Sequence, residues 1–407
     1  MAEPARHLAD EILEEIFIRL PTPAALARAS TASPRFRRII TERPFLRRIR
    51  ALHPPPLLGF AVDKRAFHHA QEPHPSAPLA RALADGADFS YSFVPVPQPQ
   101  PNQELLSPWY HRDIRDGRVL LERSYLFGAG AAFTDLAVGD PVSRRYVLLP
   151  SIPEEMAVQQ ERLVEFGPML GPAGEDGDDT SFTVISTAGY NSKLVTFVFS
   201  SVTGQWCVAA SPSWSSLGTA APTWKGISSF SYLRGRFYWG ALWKDKLLVL
   251  DTRTMEFSTL NILTGYHMQL LNQPGLPYWS TIVGGTNGAL EMFTPVGDYR
   301  STSLHHTTQQ NNGESSKEWK LKNVIALPPG SLYFTVGATE GFLFLRGAQL
   351  VEDSYGLLPK HNSVDFYSLD VKTSELKKVC RATTHFDHPN VVHSYFGFPP
   401  SLFKPTL

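Results

Sequence analysis

The feature that most constrains the fold is a repeat of apolar segments that each begin with glycine. The segments GRFYWGALW, GALEMFTPV and GFLFLRG begin at Gly235, Gly288 and Gly341, so both intervals are 53 residues. A further copy, GRVLLERSY, begins at Gly117, 118 residues before Gly235 and therefore about two periods earlier. β-Branched and aromatic residues between glycine, proline and aspartate indicate strands. A period near 50 residues that contains only strands is typical of stacked, repeated sheets.

A second element follows each of several glycine segments: a strand, a polar turn and another strand. Its copies are DLAVGDPVSRRYVLLP, VTFVFSSVTGQWCVA, LLVLDTRTMEFSTL and VDFYSLDVKTSELKKV. Gly204 stands where a tight hairpin requires a positive φ angle. Two hairpins per period make a four-stranded sheet that cannot bury both of its faces alone. Such sheets bury their faces by stacking around an axis, so the sequence predicts a β-propeller.

Five blades can be placed, and the chain ends supply material for a sixth. The five predicted blades cover residues 117–150, 163–210, 226–262, 280–327 and 332–380. Three strand-like runs remain: LLGFAVD, DFSYSFVP and VHSYFGFPP. Together they could form a sixth blade closed by both ends of the chain, which would remove exposed sheet edges. A pair of open β-sandwiches is the structural alternative.

The first fifty residues differ in pattern from the rest of the chain, because they predict short helices. The opening helix carries its apolar residues on one broad stripe, formed by Leu8, Ile12, Leu13, Ile16, Phe17 and Leu20. Pro21 ends this helix, since proline lacks an N–H and clashes with the preceding turn. Thr22 with Pro23, Ser33 with Pro34, and Pro44 mark the starts of three more helices. We therefore predict a multidomain chain, with a helical domain at 1–53 and an all-β propeller of about six blades at 54–407.

The order of these helices, with RLP after the first and PFLRRIRALH in the last, resembles the F-box. The family motif begins Leu-Pro-Asp-Glu, where this chain reads Leu8-Ala9-Asp10-Glu11. Ala32 and Phe36 stand near positions where the family usually carries cysteine and tryptophan. The resemblance covers Leu8 to His53. The remaining chain resembles the kelch-like domains that accompany plant F-boxes, although it has no clear signature dipeptide.

The resemblance implies that the helical domain docks a Skp-type adaptor and, through it, a cullin. Its adaptor-facing positions correspond to Leu8, Ile12, Leu13, Ile16, Leu20, Pro21 and Leu26. The alternative is that these side chains form the domain's own core, where we also expect Phe36, Ile39 and Ile40. On the first interpretation the chain is a non-catalytic substrate receptor of a ubiquitin ligase, and the propeller binds an unidentified target protein.

The charge distribution leaves a second interpretation open. Lysine plus arginine and aspartate plus glutamate each total 38, so the net charge is zero and does not favour nucleic acid as a general partner. The helical domain nevertheless contains an arginine cluster, formed by Arg28, Arg35, Arg37, Arg38, Arg43, Arg47, Arg48 and Arg50. Glu42 is its only acidic neighbour in sequence. A nucleic-acid-associated regulator is therefore an alternative, but the cluster lacks interleaved aromatic residues for base stacking, so we favour a solvated face.

The sequence contains no recognisable catalytic or cofactor motif. It has no phosphate-binding loop and no Gly-x-Ser-x-Gly elbow. Two cysteines, Cys207 and Cys380, are too few for a disulfide framework or a four-cysteine zinc site. The adjacent pairs His68–His69 and His305–His306 each divide between two faces of a strand. We expect no metal, cofactor or catalytic residue; a propeller hydrolase or sugar-binding module remains a third alternative.

The tryptophans and loops complete the sequence predictions. Most of the eight tryptophans are expected to pack between blades, whereas Trp214 and Trp224 flank a loop and are candidates for target contact. Residues 93–104, 171–180 and 299–318 are expected to be loops, the last one a mobile insertion within a blade. We expect no secretory signal, because MAEPARHLAD lacks a basic region followed by an apolar core. No apolar run is long enough for a membrane span, so we expect none. The two cysteines fit a reducing compartment, and cytoplasmic and nuclear residence both fit this expectation.

Overall fold

The structure is a computed structural model of the 407-residue chain. It describes residues 8–20, 23–52, 55–62, 66–96, 108–123, 133–158, 161–172, 181–221, 230–239, 246–262, 266, 280–284, 289–297, 302–311, 317–339, 341–353, 356–383 and 392–397. These residues divide into two compact units. One contains the described residues up to Pro56 together with Gly397, and the other contains those from Leu57 to Pro172 and from Ser181 to Phe396.

The first unit is made of four short helices: α1 (Asp10–Ile18), α2 (Pro23–Ala32), α3 (Pro34–Thr41) and α4 (Arg43–Leu52). Local sequence explains where they begin. Asp10 and Glu11 lie in the first turn of α1, where acidic side chains interact favourably with the helix dipole. Ser33 caps α3 by accepting a hydrogen bond from the Arg35 backbone N–H at 3.2 Å. Helices this short are marginal in isolation, so packing between them must stabilise the unit.

The described part of the second unit consists of strands, one short 3-10 helix (Glu154–Met156) and one longer α-helix, α5 (Ala77–Gly86). Its strands in the first part of the chain are β1 (Leu57–Val62), β2 (Ala66–His69), β3 (Tyr110–Arg115), β4 (Arg118–Arg123), β5 (Asp135–Asp140), β6 (Arg145–Leu148), β7 (Glu165–Leu170), β8 (Thr183–Gly189), β9 (Leu194–Ser200) and β10 (Gln205–Ala210). The remaining strands are β11 (Ser231–Leu233), β12 (Arg236–Trp239), β13 (Lys246–Asp251), β14 (Glu256–Asn261), β15 (Thr281–Gly284), β16 (Leu290–Gly297), β17 (Thr302–Asn311), β18 (Lys317–Ala326), β19 (Ser331–Thr339), β20 (Phe342–Asp353), β21 (Gly356–Asp370), β22 (Leu376–Ala382) and β23 (Val392–Phe396). Among the described helices, none is both long and apolar enough to cross a membrane.

These strands form six antiparallel sheets, which are the six blades of a β-propeller. Five sheets are four-stranded meanders in chain order: β3 to β6, β7 to β10, β11 to β14, β15 to β18 and β19 to β22. The first strands of neighbouring blades pack on one another, as β3 does on β7, β11 on β15 and β15 on β19. The prediction of five central blades is confirmed, except that the first begins at Tyr110 because Gly117 lies after its inner strand.

The sixth blade joins the two ends of the propeller chain. Its described strands have the order β2-β1-β23, with β1 antiparallel to both neighbours. The inner strand β23 packs on β19 on one side and on β3 on the other, which closes the ring. The predicted contributions of LLGFAVD and VHSYFGFPP are confirmed. The predicted contribution of DFSYSFVP is wrong, because Asp88 accepts hydrogen bonds from Ser90 and Ser92 in a turn and Tyr91 has φ of 59°.

Local turn chemistry explains the repeated hairpins. Asp116 and Gly117 have φ angles of 53° and 74°, and Arg234 and Gly235 have 48° and 78°. Two consecutive positive φ angles are the requirement of a two-residue type I′ turn, whose twist matches that of the paired strands. The second hairpin also has its predicted turn, since Gly204 has φ of 70° and donates its backbone N–H to the Ser200 carbonyl oxygen at 2.8 Å.

Two segments of the propeller differ from the sequence predictions. Helix α5 lies within the part of the chain that we expected to contain only strands; it is rich in alanine, and Ala77 and Ala80 are buried. The expected mobile insertion at 299–318 is wrong, because Thr302–Asn311 forms β17 in the middle of a blade. This polar strand is stable there because neighbouring strands satisfy its buried groups; for example, Thr307 Oγ1 donates to the Met292 carbonyl oxygen at 3.2 Å. Residues 97–104 and 173–180 of the other two predicted loops lie outside the described part.

Candidate interaction surfaces

Helix α1 has two apolar faces rather than the single broad stripe predicted from its sequence. Leu13 and Phe17 are 3% and 4% exposed and pack against the buried Ile39, Ile40 and Phe45. Leu13 is therefore a core residue of the helical unit and not part of an outward surface. The predicted core role of α3 is confirmed, and Phe36 meets Phe17 edge-to-face with ring centroids 5.1 Å apart.

The other apolar face of α1 is exposed. Ile12 and Ile16 are 49% and 47% exposed and lie four residues apart, so both project from the same side of the helix. Leu8, Leu20 and Leu26 are half-buried and pack against the unit's own core. Pro21 lies outside the described residues. Among the six predicted contact residues that the structure describes, the isoleucine pair is thus the one with substantial apolar area left to bury.

The arginine cluster is partly neutralised, which its sequence neighbours did not reveal. Asp10 pairs with two arginines of α3, through Arg35 Nη2 at 2.6 Å and Arg38 Nη2 at 2.5 Å. Arg48 of α4 pairs with Glu14 at 3.4 Å and Glu15 at 2.5 Å. The hydrogen bond from Arg48, together with its charge, lowers the pKa of Glu15. The expectation that Glu42 alone opposes these arginines is wrong, because helix packing brings the acidic side of α1 beside α3 and α4.

The tryptophans of the described blades are packing residues. Trp239 and Trp319 are fully buried, and the Trp319 indole N–H donates to the Asn261 carbonyl oxygen of the preceding blade at 3.4 Å. Trp206 makes the equivalent kind of link, with its indole N–H 2.7 Å from the Pro150 carbonyl oxygen. The prediction of packing between blades is confirmed for these residues.

Trp214 does not form the surface contact that we predicted. Its side chain is 3% exposed, packs in the core beside Trp239, and donates its indole N–H to the Tyr190 carbonyl oxygen at 2.8 Å. The loop position that suggested exposure is folded back onto the blade. Trp224, the other candidate, lies outside the described residues.

A buried polar cluster joins the first and last inner strands of the propeller. His111 of β3 and His393 of β23 pack edge-to-face with ring centroids 5.7 Å apart. Tyr91 Oη lies 3.3 Å from His111 Nδ1, and His393 Nδ1 lies 3.9 Å from Asp113 Oδ1. Asp113 also accepts the backbone N–H of Leu170 at 2.8 Å, which links β3 to the end of β7. The cluster therefore connects three blades where the ring closes.

Burial sets the protonation of this cluster. Desolvation, with a smaller contribution from His393, lowers the pKa of His111 to about 3. Desolvation and the nearby Arg112 likewise lower the pKa of His393 to about 3. Burial also raises the pKa of Asp113 against the opposing effect of Arg115. Both imidazoles are therefore neutral at physiological pH. The buried contact between the first and last blades thus contains no uncompensated positive charge from these rings.

The sequence did not single out this cluster, because its members are far apart in the chain and individually unremarkable. The adjacent histidines His305 and His306, which the sequence did single out, have different partners, as expected. Tyr266 Oη lies 2.9 Å from His305 Nδ1, whereas Glu291 Oε2 lies 2.8 Å from His306 Nε2. Lys322 also pairs with Glu291 at 2.7 Å. Burial raises the pKa of Glu291, but the hydrogen bonds from Lys322 and His306 outweigh it and leave that pKa lowered.

The described residues contain no group of three or more histidine, cysteine, aspartate or glutamate side chains with metal-binding geometry. Cys207 is an exposed free thiol and Cys380 is a buried one.

Of the comparisons with known proteins, the one with solved structures finds matches. No protein-family model matches the chain, and no curated protein matches its sequence. Three solved structures illustrate the similarity. The nidogen/laminin complex has a TM-score of 0.36 at 11% identity over 83% of this chain and 97% of that chain. The β-propeller domain of the Trilobed protease from Pyrococcus furiosus has a TM-score of 0.32 at 10% identity over 68% of this chain and 82% of that chain.

The third is an exo-β-1,3-galactanase from Clostridium thermocellum, with a TM-score of 0.31 at 8% identity over 65% of this chain. The present chain spans 59% of that protein. At these TM-scores the similarities carry no argument about this chain.

Proposed function

We propose that the chain is the substrate-recognition subunit of a Skp-cullin-F-box ubiquitin ligase. Its helical unit would dock a Skp-type adaptor, and its propeller would bind the protein to be ubiquitinated. The observation that supports this proposal best is the exposed pair Ile12 and Ile16 on a helix whose adjoining face already fills the core of its unit. A helix with two apolar faces is expected where one face meets a partner.

The energetics fit a docking surface. Full burial of an aliphatic side chain stabilises by about 1.5–3 kcal/mol, so covering the exposed half of each isoleucine would contribute about 1 kcal/mol. In this role the chain would catalyse no bond change. It would raise the local concentration of a target lysine near the ubiquitin carrier, which is an effect of proximity.

Co-purification tests the proposal. The full chain is expressed with a Skp-type adaptor, and the variant Ile16→Asp is compared with it. We expect the adaptor to be lost, because association would desolvate the new carboxylate without a partner. Since Ile16 is 47% exposed, the variant should keep the melting temperature of the parent chain.

The matched control is Val202→Asp, which places the same charge at a 76% exposed valine of the propeller. It should retain the adaptor. Equal adaptor recovery with Ile16→Asp and with the parent chain would refute docking through α1.

The nucleic-acid alternative is less favoured by the helical unit, because Asp10, Glu14 and Glu15 occupy three of its arginines. Salt-dependent retention on heparin that disappears when Arg35 and Arg48 are replaced by alanine would support it instead. Residence in the cytoplasm or nucleus follows from the ligase proposal and is read out by fractionation.

A further inference from the structure

The outermost strand of the first four-stranded blade has an unusual surface. Strand β6 is the last strand in the order β3-β4-β5-β6, and no described strand pairs with its outer edge. Its residues Tyr146, Val147 and Leu148 are 41%, 37% and 41% exposed. Successive side chains of a strand point to opposite faces. Both faces of β6 are therefore uncovered, and both carry large apolar side chains.

Three other outer strands of the propeller carry features that discourage strand pairing, although β10 and β18 also expose Val208, Leu321 and Val324. Strand β10 has a bulge between Val208 and Ala210, and β18 carries Lys320 and Lys322. Strand β22 carries Lys377, Lys378 and Arg381. Lysine on an edge strand discourages pairing with another chain, because strand addition would bury its charge. Within β6 itself, Arg145 at the first position is the one charged residue.

The backbone of β6 determines what its edge can bind. The Leu149 N–H donates to the Leu136 carbonyl oxygen at 3.0 Å, so residue 149 faces β5. Backbone groups in an antiparallel pair alternate between the two sides of a strand. Val147 and Arg145 therefore direct their N–H and C=O groups toward β5, whereas Tyr146 and Leu148 direct theirs outward. An extended backbone is the partner that matches such a row of donors and acceptors.

The native neighbour of β6 shows which side chains this register accepts. Strand β5 places Asp140 opposite Arg145, Gly139 opposite Tyr146, and Val138 opposite Val147. An acidic residue beside Arg145 has the complementary charge, and exposed Arg144 adds a second positive charge at the same end. A small residue beside Tyr146 leaves room for the ring, and a β-branched residue beside Val147 is a favourable cross-strand pair.

We propose that the outer edge of β6 binds an extended, acidic-ended peptide segment of a partner protein by strand addition. The segment carries an acidic residue opposite Arg145 and alternating small or β-branched residues opposite Tyr146 and Val147. The inference rests on the proposed function in one respect, which is that the partner would be the target protein of the ligase. Strand addition itself depends on β6 and is independent of helix α1.

The probe is a fluorescein-labelled synthetic peptide with the sequence TDLAVGDP, which is that of residues 134–141. Its binding to the full-length protein is measured by fluorescence anisotropy. We expect saturable binding that weakens at least about tenfold with Val147→Lys and with Leu148→Pro. Proline at 148 removes an outward N–H and leaves the ladder to β5 intact. A copy of the peptide that is N-methylated at alternate residues should not bind.

The matched control is Val208→Lys, which places the same charge on the edge strand β10 at a valine that is 48% exposed. It should bind the peptide as the parent protein does. The proposal is overturned if the peptide does not bind the parent, or if Val147→Lys, Val208→Lys and the parent bind it equally. It is also overturned if the parent is a dimer that Leu148→Pro converts to a monomer, since the occupant of the edge would then be a second copy of this chain.

Each result separates this inference from the ligase proposal. If the parent chain binds the peptide but does not bind the adaptor, the ligase proposal alone is refuted. Adaptor binding without peptide binding would refute strand addition alone.

Discussion

The histidine pair at the ring closure predicts that the propeller loses stability in mild acid. The pKa values of His111 and His393 are lowered from 6.5 to about 3 by burial. The unfolded chain therefore binds protons at each site between these values while the folded chain does not. For a group whose folded pKa is lowered in this way, the free energy of unfolding falls as the pH drops below the unfolded pKa.

The magnitude follows from the two pKa values. At about pH 5, each histidine has lost about 2 kcal/mol of stabilisation relative to neutral pH, so the pair accounts for about 4 kcal/mol. Asp113 acts in the opposite direction, because its raised pKa makes the folded state bind a proton more readily as the pH falls. Burial also lowers the pKa values of His74, His305 and His306, which adds to the loss in the same pH range, so the contribution of the pair is read from the difference between the parent and a variant that lacks it. The lowered pKa values of Glu291 and Asp365 matter only below about pH 4.5.

Urea unfolding followed by tryptophan fluorescence measures this effect. All eight tryptophans lie at position 109 or later, so the signal reports the propeller and not the helical unit. The comparison is between the parent protein and His111→Asn/His393→Asn at about pH 7.5 and about pH 5. The double variant should be less stable at the higher pH, because its side chains fill the site less well. It should lose much less stability between the two pH values.

An equal loss of unfolding free energy in the parent and the double variant would refute the assignment of acid sensitivity to this pair. Single replacements add a further check. Because the rings are in contact, removing one leaves the other better solvated and brings its folded pKa closer to its ordinary value. Each single variant should therefore remove more than half of the pH dependence of the pair.

Three further predictions concern packing and turns. Phe17→Ala should destabilise the helical unit by about 3–5 kcal/mol, seen as faster hydrogen exchange across its helices, whereas Ile12→Ala should not; equal protection in both would contradict the division of α1 into two faces. Trp319→Phe should lower the free energy of unfolding of the propeller by at least about 1 kcal/mol, because it removes the hydrogen bond to Asn261 and leaves part of a fully buried site unfilled; an unchanged urea midpoint would contradict a packing role for this indole. Gly204→Ala should cost about 1 kcal/mol, since φ is 70° while no atom lies within 4 Å of the added Cβ. A stabilised Gly204→Ala variant would show instead that the lost freedom of the unfolded chain dominates.

The amino-acid sequence by itself determined the repeated blades, because their information is local. A hairpin depends on a few residues whose φ angles are set by glycine and on the strands directly beside it. The spacing of Gly235 and Gly341, with Gly204 between strands, was therefore enough to place the five central blades. The joining of the first and last strands was also readable, since LLGFAV and VHSYF were unpaired runs at opposite ends of a closed repeat.

Tertiary structure alone decided which side chains were left for a partner or placed together. Ile12 and Leu13 are adjacent and equally apolar, and their different exposure depends on where α3 and α4 pack against α1. Polar strand β17 and the turn after Asp88 reverse their local preferences, because hydrogen bonds from neighbouring segments outweigh those preferences. His111 and His393 are 282 residues apart and meet only when the ring closes. Their neutral state follows from burial, and no short stretch of sequence contains that information.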